Sequence, residues 1–115
     1  MRYAIEPCPK PRMTRRDKWK KRLCVLRYWA FKDKCRVHRV QLPQPCRVVF
    51  HMAMPKSWSA AKREHMDGQP HAAKPDLDNL IKGLWDAILK EDSHLSSVTA
   101  EKRWSLKPGI EVEKL

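Results

Sequence analysis

A chain of 115 residues, 42% of them hydrophobic and five of them tryptophan, has the size of one ordinary domain, residues 1–115, and is too apolar for a disordered basic tail. No uninterrupted apolar stretch approaches the ~20 residues that span a bilayer, and the first residues lack the apolar core of a secretory signal, so a folded cytoplasmic protein without a membrane partner is expected. The formal net charge of +12 is unevenly placed: residues 9–40 hold thirteen Lys and Arg against Asp17 and Asp33, a concentration that draws a polyanion such as DNA or RNA by neutralising phosphates and releasing counterions.

Arg2 to Glu6 alternates, with Tyr3 and Ile5 on one side, which predicts a short strand before Pro7, Pro9 and Pro11 break regular structure. The loop carrying those prolines also carries Lys10 and Arg12. Thr14-Arg15-Arg16-Asp17 is similar to a capping box, and Trp19, Leu23, Leu26 and Ala30 recur at helical spacing, so a helix is expected over residues 14–33 with that stripe packed inward. Arg15, Arg16, Lys18 and Lys20 would then join Lys10 and Arg12 as candidate nucleic-acid contacts, although a solvated helix face accounts for the same charges. Cys8, Cys24, Cys35 and Cys46 form no C-x-x-C pair and are read as reduced thiols.

Val48, Phe50, Met52 and Met54 alternate with Arg47, Val49, His51 and Ala53, the pattern of a half-buried strand. Residues 57–66 predict a short helix outside the core, with Gly68 placed to end it, and a turn-rich loop runs on to Pro75. Leu77, Leu80, Ile81, Leu84, Trp85, Ile88 and Leu89 then mark one face of a helix that must be buried. Beyond it Val98, Ala100 and Trp104 alternate along a strand, and Lys107-Pro108-Gly109 turns the chain into Ile110-Glu111-Val112, predicting a terminal hairpin. The order β-α-β-α-α-β-β points to an α+β fold, helices packed on a small mixed or antiparallel sheet.

Lys74-Pro75-Asp76-Leu77-Asp78-Asn79 concentrates two carboxylates at one helix N-terminus, because Pro75 disfavours helical geometry at Lys74 and so starts the helix near Asp76. Asp92, ahead of the next strand, returns toward them if helix and strand form a hairpin-like unit. Three clustered carboxylates raise one another's pKa unless a cation neutralises them, and Mg2+ with an incomplete protein cage suits phosphodiester chemistry. Alternatively, Asp76 and Asp78 cap the helix and complement its dipole. Lys82, four residues after Asp78, either holds a phosphate or forms an i, i+4 ion pair. Asp86 is expected to be a structural partner, and His71 and His94, near in sequence to the acids, are read as ordinary surface residues.

The run KPDLDNLIKGLWDAI, followed by Glu91-Asp92, resembles the signature of the RusA family of Holliday junction resolvases, common among bacteriophages and prophages. PKPRMTRR and MPKSWS are similar to segments of phage-type members. The resemblance implies that Asp76, Asp78 and Asp92 are the catalytic metal-binding aspartates, Asp92 being preferred to Glu91, and that Lys82 is the functional lysine. Pro75 stands where a basic residue can precede the first aspartate, so Lys74 would supply that charge to DNA. Also implied are a homodimer, Mg2+ with Mn2+ as a substitute and no organic cofactor, a phage- or prophage-encoded protein acting in a bacterial cytoplasm, and four-way junctions as substrate. Resolution by paired nicks leaving 5′-phosphate and 3′-hydroxyl ends would serve recombination and repair. Two competing expectations are a nuclease aimed at other branched DNA and a basic phage protein that binds DNA without cutting it.

Overall fold

The structure, a computed structural model, describes residues 1–12, 23–89 and 95–115. Its elements are β1 (Arg2–Tyr3), α1 (Leu23–Val37), β2 (Cys46–Ala53), α2 (Ala60–Met66), α3 (Leu77–Ile88), β3 (Val98–Ser105) and β4 (Gly109–Lys114), in the α+β order the sequence predicts. The strands form one mixed sheet ordered β1-β4-β2-β3. Alternation along β2 buries Val48, Phe50 and Met52 with Met54 just beyond, and Val49 is buried as well. This apolar strand takes the sheet's centre. It runs parallel to β3 from the Cys46↔Val98 pair to Ala53↔Ser105 and antiparallel to β4. Parallel neighbours need a long crossover connection, and α2 and α3 lie within it.

The expected terminal hairpin does not form, because β2 lies between β3 and β4. Lys107-Pro108-Gly109 reverses the chain, but a turn fixes only a reversal. Which strand is the partner depends on where the most apolar strand is best covered, and at the centre β2 has both backbone edges paired. At Gly109 a Cβ would stand 2.8 Å from the Tyr3 carbonyl oxygen, so glycine permits the close approach of β1.

Helix α1 corrects a second expectation. It buries Val25, Tyr28, Phe31 and Cys35, while Leu23 and Leu26 are 61% and 47% exposed and Ala30 is also exposed. The buried set has helical spacing too, and it brings two aromatic rings whose area outweighs that of the alternative stripe. Tyr28 Oη donates to the Gly83 carbonyl at 2.8 Å, which satisfies its polar tip inside the core. The described helix continues to Val37 rather than stopping at residue 33; residues 14–22 of the expected helix lie outside the described chain. By contrast α2 buries nothing, as predicted, and Ser59 caps it by accepting from the Lys62 backbone N–H at 3.2 Å.

On α3, Leu80, Leu84 and Trp85 are buried, and Leu77, Ile81, Ile88 and Leu89 pack partly buried beside them, reproducing the predicted stripe. The four cysteines are unpaired. Burial pushes the Cys35 thiol up to about 12, so this group behaves as a small apolar side chain. Glu101 on β3 bridges Arg47 of β2 and Arg103, with 2.6 Å to Arg103, and His51 lies 3.0 Å from Glu111. Several of the strand carboxylates are thus committed to partners on the strands. No described helix is long and apolar enough to cross a membrane.

Candidate active site

Asp76 occupies the N-cap of α3 in extended conformation (φ −67°, ψ 143°), and its carbonyl oxygen accepts the Leu80 N–H at 3.2 Å. Its carboxylate, however, makes no capping hydrogen bond. An aspartate at this position ordinarily accepts from the second or third helical N–H. Here neither oxygen has a hydrogen-bond partner among the described residues. Asp78 lies in the first turn, also exposed, and among the described residues accepts only the N–H of its neighbour Asn79, at 2.9 Å. Two exposed carboxylates therefore stand at the positive end of one helix dipole, and neither forms an ion pair among the described residues.

The loop that delivers these acids is pinned to β3. Gly68 N–H donates to the Trp104 carbonyl at 2.8 Å, Trp104 N–H to Gln69 at 2.9 Å, and His71 N–H to Lys102 at 3.0 Å, so the segment runs along β3 as an irregular extra strand. Lys102 then reaches past it. Its ammonium donates to the Pro75 carbonyl at 2.6 Å and also to that of Ala73, holding two carbonyls of the segment that leads into Asp76. Sequence reasoning missed this lysine. The signal was present in the alternation of Val98, Ala100 and Trp104, whose missing member at position 102 is a lysine in an apolar register.

A second support comes from the N-terminal proline segment, which crosses α3 at Gly83. A Cβ there would meet Cys8 O at 2.8 Å and Lys10 N at 3.0 Å. The crossing places Lys10, Pro11 and Arg12 beside Asn79 and Lys82 around a groove of about 450 Å³. Lys10 pairs with Asp86, which takes the structural role expected of it. Lys82 is exposed and forms no ion pair with Asp78, so the simple i, i+4 pair is not made. Three cationic side chains consequently line one groove on the helix that carries the carboxylates.

The family model for endodeoxyribonuclease RusA matches residues 5–113. The chain belongs to the RusA family. It is also similar to an uncharacterized protein, YqaN, of Bacillus subtilis strain 168, with 33% identity over 78 residues, 61% of this chain and 55% of that protein. The chain thus spans about half the length of this curated relative. No solved structure matches.

Of the residues that the resemblance to RusA proteins points to, the structure sets Asp76 at the N-cap and Asp78 in the first turn of α3, with Lys82 one turn further along. Lys74 is exposed in the pinned loop. Asp92, Glu91, Arg15, Arg16, Lys18 and Lys20 lie outside the described residues. Among the described residues no three His, Cys, Asp or Glu side chains converge as a metal site. His71 differs from its expected surface role: it is 5% exposed, under the ring of Trp104 with centroids 4.1 Å apart. Its loop is drawn onto β3 by backbone hydrogen bonds, which a sequence pattern does not display. Burial, with a smaller contribution from the Lys102 charge, holds its pKa below the usual 6.5.

Proposed function

We propose that this protein is a magnesium-dependent, structure-selective endodeoxyribonuclease that resolves four-way DNA junctions as a homodimer. The observation that carries the proposal is the carboxylate of Asp76, placed at a helix cap yet making no capping bond, two residues before the likewise exposed Asp78. Capping alone does not account for that arrangement; a divalent cation does, and the donor set suits it because Mg2+ prefers carboxylate oxygens together with water and phosphate. Asp76, Asp78 and Asp92 would hold the ion, with Mn2+ able to replace it. Once bound, it would supply Lewis-acid polarisation of the scissile phosphate and lower the pKa of water.

The chain's own residues do the remaining work. Lys82, unpaired with Asp78 and on the groove, holds a phosphate oxygen and offsets negative charge as it develops. Lys102 fixes the loop, and thereby Asp76, through the carbonyls of Ala73 and Pro75. Lys10, Arg12, Lys74 and the basic residues 15–20 neutralise the phosphates of the junction arms. A four-way junction has pairs of equivalent strands, so two sites related by a two-fold axis match it. Membership in the RusA family supports the nuclease chemistry and the branched substrate.

Purified protein incubated with a labelled immobile four-way junction, a fork and a linear duplex is expected to nick the junction symmetrically in magnesium and to leave all three intact in EDTA. Asp78→Asn is expected to bind the junction with unchanged affinity while losing cleavage. Binding by the wild type without metal-dependent nicking would instead establish a DNA-binding protein whose aspartates serve the helix.

A further inference from the structure

Helix α1 has a second apolar side. Leu23, Leu26, Ala30, Asp33 and Val37 follow one another in alternating steps of three and four residues, the a and d positions of the heptad that one helix presents to another. Leu23, Leu26 and Ala30 belong to the stripe that the sequence pattern assigns to the core, and the structure leaves them outside. Val37 is 75% exposed and Trp29, one turn from Leu26, is 40% exposed. Single apolar side chains on a surface are ordinary. Among the described residues, however, four of the seven large exposed ones, Leu23, Leu26, Trp29 and Val37, lie on this one helix. The stripe borders a cleft of about 380 Å³ lined by Trp29, Lys32, Asp33, Arg36 and, from α3, Ala87. An apolar seam therefore adjoins a pocket walled by tryptophan and arginine, the residue types that dominate binding hot spots.

We propose that this side of α1 docks an acidic amphipathic helix of another protein, with its apolar edge along Leu23, Leu26 and Val37 and one bulky side chain in the Trp29 pocket. Charge selects the occupant. Helix α1 carries Arg27, Lys32, Lys34 and Arg36 against Asp33 alone, and Asp33 is already paired with Arg36 at 3.0 Å. Arg27, Lys34 and Arg36 occupy the e and g positions that flank the seam. A second copy laid along the seam in either direction sets these cations against their own counterparts, so self-association is disfavoured. DNA neutralises the cations but leaves the leucine and valine side chains without an apolar surface to cover them. A helix with leucines flanked by glutamates meets both demands. The pocket also lies away from the acids: Ala87 is at the opposite end of α3 from Asp76, roughly 16 Å along the helix axis. The consequence is that a partner protein can hold the chain without covering Asp76 and Asp78.

The test uses the full chain and a fluorescein-labelled peptide of about three heptads, with leucine at a and d and glutamate at e and g, read by fluorescence anisotropy. Saturable binding that weakens as salt rises is expected, and the same peptide with lysine in place of glutamate is expected not to bind. Leu23→Gln combined with Leu26→Gln changes two exposed positions, should keep the wild-type circular dichroism, and should bind at least about 30-fold more weakly, as loss of a hot spot implies. Lys32→Glu leaves the seam intact and should weaken the glutamate peptide by charge alone. Absence of binding by the wild type overturns the proposal, as does equal binding of the two peptides or undiminished binding by the folded leucine variant. Sedimentation and a junction gel shift decide among the other occupants. A leucine variant that dissociates where the wild type does not would assign the stripe to a second copy, and one that loses junction affinity would assign it to a DNA arm; either result overturns the proposal.

Discussion

Lys102 shows how one side chain outside the carboxylate set can govern it. It reaches across from β3 to two carbonyl oxygens of the loop that ends at Asp76, so its charge is spent on position rather than on substrate. Lys102→Met keeps much of the aliphatic stem and removes both hydrogen bonds. Cleavage is expected to fall about 10- to 100-fold, the range typical when a partner of a metal ligand is lost, with the magnesium requirement raised and junction binding unchanged; a magnesium titration of the nicking rate measures this. His71 supplies a pH signature. Because burial favours its neutral form in the folded state, the unfolded chain takes up the proton first as pH falls below the ordinary 6.5. Its stabilising contribution is present above that value and is lost as pH falls through the lower folded pKa. Thermal melts of wild type and His71→Phe should therefore diverge below pH 6.5, with the wild type losing stability faster.

At the scale of elements, the decisive contact is the crossing of the N-terminal segment over α3. Gly83 makes it possible, since the atoms a Cβ would strike belong to the backbones of Cys8 and Lys10 and cannot rotate away. Tyr28 adds α1 to the same point through its bond to the Gly83 carbonyl. Gly83→Ala gains intrinsic helix propensity but overpacks this junction, and the clash wins: a loss of about 1–3 kcal/mol is expected in a denaturant melt. Nicking should decline further than stability accounts for, because the displaced segment carries Lys10 and Arg12 to the groove beside Lys82. An unchanged melt would show that the segment can be moved without cost.

Across the whole molecule, carboxylates on the strands are paired with cations, and among the described residues the two at the start of α3 are not. Glu101, Glu111 and Glu113 pair with Arg47, His51 and Arg103 on the strands, whereas Asp76 and Asp78 stay exposed at the helix end. A polyanion is thus attracted by the surrounding cations while the two acids remain available for a counter-cation. Junction affinity is expected to fall linearly with salt on logarithmic axes, and Lys74→Ala should reduce that slope by roughly one if Lys74 holds a single phosphate. A slope identical to wild type would place Lys74 away from the DNA.

The amino-acid sequence by itself determined the element order, the buried face of α3 and the placement of Asp76 and Asp78 at its start. These depend on local periodicity and on Pro75 restricting the residue before it, and both are readable over a dozen residues. The buried face of α1 was not readable in that way, since two stripes had helical spacing and only contact with α3 selected Tyr28 and Phe31. Strand partnership was equally non-local: the turn at Pro108 was legible, but the insertion of β2 between β3 and β4 was not. The same distinction applies to the candidate site. Asp76, Asp78 and Lys82 lie within seven residues and follow from one helix, while Lys102, His71 and the Gly83 crossing are brought to it from distant segments by backbone hydrogen bonds and packing that only the tertiary structure decides.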